Sequence, residues 1–150
     1  MEKNELAVSR TPELIAAEIN TIKEQTRKQV LNNTVEIGRR LAEAKELVPR
    51  GKWNSWLENN VDYSKTTADN LIKIFKEYGA DQMNLLGDNL KSPAFEGLSY
   101  TKALALIVIP DQEQREKFIE DNNVEEMSTR ELKKAISELE QIKKENGELK

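Results

Sequence analysis

The stretch from Trp53 to Gly79, WNSWLENNVDYSKTTADNLIKIFKEYG, decides how this chain is read. Trp53, Trp56 and Leu57 stand three and four residues apart, the spacing of one face of a short helix running roughly from Lys52 to Asn59. Asn60-Val61-Asp62-Tyr63 is then turn-forming. Ser64 offers its hydroxyl to the free N–H groups of a second helix. The apolar residues of that helix, Ala68, Leu71, Ile72 and Phe75, share one face. Gly79 is expected to close it in the left-handed conformation. Two helices joined by so short a turn have helix-turn-helix proportions, in which the second helix lies in the major groove of duplex DNA.

Toward the N-terminus, Thr11-Pro12-Glu13 is a helix start: a hydroxyl cap, a proline at the first helical position and an acid in the positive first turn. Ile15, Ile19, Ile22, Val30, Ile37, Leu41, Ala44 and Val48 keep to one stripe, with Thr26 and Asn33 as its polar members. The helix is expected over 11–48, stopped by Pro49-Arg50-Gly51, with Asn32-Asn33-Thr34 as a place where it could bend or break. Residues 1–10 lack periodicity and are expected to be disordered.

Toward the C-terminus, residues 80–97 have a loose pattern, with one short helix expected at Asp81–Leu86. Ser99 begins a helix carrying Ala103, Leu104, Leu106 and Ile107, and Pro110 stops it. Another follows from Asp111 to about Asn122 with Phe118 and Ile119 inward. Ser128-Thr129-Arg130-Glu131 is a capping box that starts the last helix. There Leu132, Ala135, Leu139, Ile142, Asn146 and Leu149 form a heptad-spaced seam, with Asn146 at a position that favours two strands. A dimer zipper and a terminal helix packed on its own domain both fit this short repeat. The repeat stops mid-stride, which leaves room for the natural chain to continue past Lys150. No stretch alternates with a period of two beside hairpin turns. Ala105–Ile109 is apolar enough for a strand, but helical pattern flanks it on both sides. The fold class is therefore all-α: a long N-terminal helix (11–48), a helix-turn-helix domain (49–127) and a C-terminal amphipathic, possible coiled-coil helix (128–150).

Composition excludes much chemistry. The 150 residues contain no Cys and no His, so disulfides, thiol nucleophiles, Cys- or His-ligated metals and the Ser-His-Asp triad are out of reach. Carboxylate pairs such as Glu43/Glu46 and Glu125/Glu126 have neither an activating partner nor a Gly-rich loop, so no enzyme, cofactor or metal is expected, although an oxygen-only metal site is compatible with the composition. No apolar run is long enough to span a bilayer, and Met1-Glu2-Lys3-Asn4-Glu5 does not open a signal peptide. A cytoplasmic protein with no membrane association is expected. The net charge of −4 is unevenly placed. Residues 111–150 hold 12 acids and 8 bases, whereas Arg27–Lys76 holds ten bases and six acids. The basic middle surrounds the helix pair, and this restores a nucleic-acid reading that overall acidity opposes.

On the second helix, Ser64, Lys65, Thr66 and Thr67 occupy the N-terminal turn, where hydroxyls, a cation and outward N–H groups suit phosphate and base contacts. Asn70 can pair bidentately with adenine, and Lys73 can take guanine acceptors or phosphate. Lys52, Arg39, Arg40 and Arg50 form a candidate phosphate-facing patch. Spacing alone leaves the bland reading open, in which Ser64 and Thr67 merely cap and the cations are solvated. Trp53 and Trp56 could stack on bases, but their spacing fits inward packing.

Ser64-Lys65-Thr66-Thr67-Ala68-Asp69-Asn70-Leu71-Ile72 resembles the recognition-helix stretch of the ParB/Noc/KorB partition-protein family. Leu98-Ser99-Tyr100-Thr101-Lys102-Ala103-Leu104-Ala105-Leu106 resembles that family's "LS-x-GHARAL-L" helix, and Met127-Ser128-Thr129-Arg130-Glu131-Leu132 its "LSVRELE" element, in the same order. The GHAR tetrad here reads Thr101-Lys102-Ala103-Leu104, and nothing resembles the family's CTP-binding motif. The resemblance therefore implies the DNA-reading module without nucleotide hydrolysis. Residues 37–79, through Leu41-Ala42-Glu43-Ala44-Lys45, Gly51-Lys52-Trp53, Trp56-Leu57 and Tyr63-Ser64 to Tyr78-Gly79, are also similar to an uncharacterised domain of phage and mobile-element proteins from Gram-positive bacteria. That likeness implies origin and fold rather than mechanism.

The expectation is a double-stranded DNA-binding protein, acting as a homodimer in regulation or segregation of a mobile element. The alternative is a non-enzymatic adaptor or inhibitor that engages a host protein with the same helices and its acidic C-terminal segment.

Overall fold

A computed structural model describes residues 9–81 and 89–148. They form six α-helices and two single 3₁₀ turns: α1 (Pro12–Leu47), α2 (Trp53–Asn60), α3 (Lys65–Tyr78), a 3₁₀ turn at Pro93–Phe95, α4 (Tyr100–Leu106), α5 (Gln112–Asn122), a 3₁₀ turn at Val124–Glu126 and α6 (Thr129–Glu148). The all-helical class holds. Among the described residues the only extended pairing is a single antiparallel bridge between Gly79 and Leu90. Of the short helix expected at 81–86, residues 82–86 lie outside the described residues, as do residues 1–8 and Leu149.

The helix boundaries follow from their caps. Thr11 Oγ1 accepts from the Leu14 N–H (3.1 Å) with Pro12 at the first position of α1. Ser64 Oγ accepts from the Thr67 N–H (3.1 Å), Ser99 Oγ from Lys102 (3.2 Å) and Asp111 Oδ1 from Gln114 (3.0 Å). The capping box forms in both directions: the Glu131 N–H donates to Ser128 Oγ (3.1 Å) and the Ser128 N–H to Glu131 Oε1 (3.2 Å). Those bonds hold the Glu131 carboxyl below its ordinary pKa.

Helix α1 runs unbroken through Asn32-Asn33-Thr34. Its packing corrects the sequence reading. The residues buried along it are Leu31, Thr34, Val35, Gly38 and Leu41, whereas Ile15, Ile19, Ile22, Val30 and Ile37 are exposed. Of the expected stripe only Leu41 is buried. The cause is Gly38: a Cβ there would lie 2.1 Å from the Leu71 carbonyl oxygen and 2.8 Å from Phe75 Cβ. The helices can approach this closely only on the glycine side, so α3 covers that face and leaves the aliphatic stripe free. Before Arg27, α1 is an exposed arm apart from half-buried Glu24. From Glu24 onward it meets the rest of the chain, with Arg27 pairing to Glu125 (3.3 Å) and Lys28 to Glu96 (3.7 Å).

Two apolar clusters result. Leu41, Leu57, Ala68, Leu71 and Ile72 bind α1, α2 and α3 together. A larger one joins Leu31, Val35, Ile74 and Tyr78 to Phe95, Leu98, Leu106, Phe118, Ile119, Leu132 and Ile136. Tyr78 centres it, with its hydroxyl donating to the Ala103 carbonyl (2.5 Å) and its ring edge-on to Phe95 (4.9 Å). Burial pushes the Tyr78 phenol well above its ordinary pKa. Trp53 and Trp56, their rings stacked 5.5 Å apart, pack inward against the smaller cluster as their spacing implies but stay half-buried, while Leu57 is fully buried. One smaller expectation changes. Gly79 is extended (φ −83°, ψ 139°) rather than left-handed. It is glycine for lack of room, since a Cβ would lie 2.7 Å from both the Phe75 carbonyl oxygen and Val35 Cγ1.

Candidate nucleic-acid interface

Helices α2 and α3 are separated by residues 61–64. Asp62 takes a left-handed backbone (φ 57°), which a short polar residue tolerates, to reverse the chain. The turn side of this unit is acidic. Glu58 and Asp62 line a shallow cleft there with Asn54, Tyr63, Ser64 and Lys65.

Along α3, Ala68, Leu71, Ile72, Ile74 and Tyr78 face the interior. At a helical repeat of about 3.6 residues, Thr66, Asn70 and Lys73 line up on the opposite side. Thr66 and Lys73 are exposed and Asn70 half-exposed. Two acids border this face, and both are engaged elsewhere: Asp69 lies 3.8 Å from Lys45 of α1, and Glu77 is 3.0 Å from buried Arg115 of α5. Lys52, Lys65 and Lys73 have no ion pair and Asn70 no side-chain hydrogen bond among the described residues. Lys73 on this outer face is thus unpaired beside an amide with no side-chain partner, whereas Lys65 sits with Glu58 and Asp62 at the turn. Ser64 and Thr67 are occupied at the cap, where Ser64 Oγ donates to Thr67 Oγ1 (3.0 Å).

The four candidates beside the helix pair separate. Arg50 and Lys52 are exposed, Arg50 in the turn before α2 and Lys52 at its N-cap. Arg40 is exposed but bonds Glu36 Oε1 (2.7 Å). Arg39 is built into the fold. It donates to the carbonyls of Asp81 (3.0 Å) and Ala80 (2.9 Å), pairs with Glu36 (3.1 Å), and lies 4.8 Å above the Phe75 ring. Glu36 is the hub of this network. Burial raises its pKa, but hydrogen bonds from Asn89, Arg40 and Arg39 outweigh that and hold it below its ordinary value. Arg115, which sequence reading did not single out, is 1% exposed. It donates to the carbonyls of Leu106 (3.2 Å) and Ile109 (2.6 Å) and sits over Tyr78. Its place in line with Phe118 and Ile119 was the available signal. Lys102, within the altered tetrad, donates to the Val124 (2.9 Å) and Glu125 (3.0 Å) carbonyls.

Of the expected zipper positions, Leu132 is fully buried in its own core, and Ala135 and Leu139 pack beside it. Ile142 and Asn146 are exposed. No helix among the described residues is long and apolar enough to cross a membrane.

These observations define an all-helical protein with a short helix pair at one side of a two-cluster core. The chain belongs to the family described as "Protein of unknown function (DUF3102)", which it matches over residues 10–139. No curated protein and no solved structure matches it.

Proposed function

We propose that α2 and α3 are a helix-turn-helix of the partition-protein type and that the protein binds double-stranded DNA at a specific site. The observation that carries this is the outer face of α3: Lys73 is unpaired beside Asn70, and the two acids bordering them, Asp69 and Glu77, are drawn to cations of other helices. A helix laid against phosphates and base edges uses an exposed lysine and amide in that arrangement. In this reading Lys65, Thr66 and Asn70 address bases, and Lys52, Lys73 and Arg50 hold phosphates. Ser64 and Thr67 cap the helix and present its N-terminus to the backbone. Arg39 supports the fold instead of the phosphates. The biological role is site recognition in the cytoplasm, for regulation or segregation of a phage or mobile element.

The test is selection of a duplex from a randomised library, followed by fluorescence anisotropy across salt. The logarithm of affinity falls linearly with that of salt. Lys73→Ala weakens binding to all sequences and reduces the slope by about one. Asn70→Ala costs about 1–3 kcal/mol and relaxes preference at one base pair. No duplex binding at low salt overturns the proposal.

A second reading, an adaptor that engages a host protein, is favoured by one feature. Phe118, Ala135, Leu139 and Ile142 line an open cleft of about 430 Å³ between α5 and α6, in the acidic part of the chain.

A further inference from the structure

We propose that α1 pairs with α1 of a second copy of this chain, parallel and in register, along its uncovered stripe. The stripe is Ile15, Ile19, Ile22, Thr26, Val30, Asn33 and Ile37, and its five aliphatic members are between 39% and 61% exposed. It lies roughly a third of a turn round the helix from the face that α3 covers. A second copy can therefore occupy it while the two bodies stay on the outer sides.

Three features select this occupant. The first is periodicity. Steps of four, three and four residues occur twice, an eleven-residue repeat close to the natural period of the helix. Two such helices stay in contact over the whole stripe with only slight supercoiling, and α1 supplies that length without interruption.

The second is charge. Glu18 borders the stripe on one side and Lys23 on the other; both are exposed, and Lys23 has no partner among the described residues. A parallel pair sets each flank against the opposite flank of its neighbour, so Glu18 of one copy meets Lys23 of the other. An antiparallel pair sets like flank against like. Glu18 is shared with Arg10 of its own copy (2.6 Å), so Lys23 of the second copy would be its second cation.

The third is polarity. Thr26 and Asn33 interrupt the apolar stripe, and in a parallel pair each faces its own copy, the arrangement by which a buried polar layer fixes register. An antiparallel pair centred on Thr26 would set Asn33 against Ile19 instead. The inference stands apart from the DNA reading of α3, since the two faces share no residue.

Sedimentation of the full chain at micromolar concentration tests it, with the expected mass twice that of the chain. Ile19→Asp combined with Ile22→Asp gives a monomer, while the fluorescence of Trp53 and Trp56 is unchanged and reports an intact body. Glu18→Lys weakens the dimer about tenfold, and adding Lys23→Glu restores it. Because the chain has no cysteine, Ile15→Cys and Ile22→Cys can each be introduced alone and oxidised. A parallel, in-register pair cross-links in both variants, and an antiparallel pair in at most one. A monomeric full chain, a dimer that survives the double aspartate change, or cross-linking in only one variant overturns the proposal. So does dissociation by Ile142→Asp on α6 in place of the α1 changes.

Discussion

A Cβ at Gly38 would meet the Leu71 carbonyl oxygen at 2.1 Å, and that oxygen belongs to the backbone of α3 and cannot swing aside. Gly38→Ala would favour the helix by up to about 1 kcal/mol in a free peptide. Here overpacking outweighs that gain, and the expected result is a net loss of about 2 kcal/mol in urea unfolding followed by tryptophan fluorescence. Glu36 makes a second residue-level prediction. Its folded pKa lies below its ordinary value. Its contribution to stability is therefore complete above an unfolded value of about 4.3 and is lost as pH falls through the folded pKa. Unfolding measured from pH 7 to 3 should steepen below about pH 4.5, and Glu36→Gln should flatten that part of the curve. An unchanged profile would remove Glu36 from the account. Arg39 and Arg115 show why such roles are hard to read from sequence. An arginine bound to carbonyls looks the same in one dimension as one bound to phosphate; what differs is the Ala80, Asp81 and Ile109 carbonyls, brought near only by folding.

Elements whose ends are set locally were read closely. Thr11, Ser64, Ser99, Asp111 and Ser128 each cap the helix expected of them, because a cap needs only residues within one turn. Removing one should have a local cost. Ser128→Ala is expected to lower stability by about 1 kcal/mol and to speed amide exchange in the first turn of α6, while α3 is unaffected. A wild-type midpoint would mean that the capping box contributes nothing. What local pattern did not supply was the choice between two faces of α1. Leu31, Thr34, Val35, Gly38 and Leu41 keep helical spacing as well as the isoleucine stripe does. Hydropathy favours the isoleucines; close approach to α3 favours the face with the glycine. On α6, of the two packings its short repeat fitted, Leu132, Ala135 and Leu139 take the one against their own core.

At the scale of the whole molecule, charge is segregated and two surfaces of the α1–α3 pair are left uncovered. Acidic residues dominate the α5–α6 end, the long helix presents an aliphatic stripe, and α3 carries an unpaired lysine on its outer side. The candidate DNA face could be named from sequence because Thr66, Asn70 and Lys73 repeat at helical spacing behind a visible cap. The engagement of Asp69 by Lys45 and of Glu77 by Arg115 could not, since each pair joins distant parts of the chain. Under the proposed function this face, and no other, meets duplex DNA. Hydrogen exchange of the full chain with and without a selected duplex tests it most directly. Slowed exchange is expected over 64–76 and in the turn at 50–53, with α6 unchanged. Protection confined to α5 and α6, or none anywhere at saturating duplex, would contradict it.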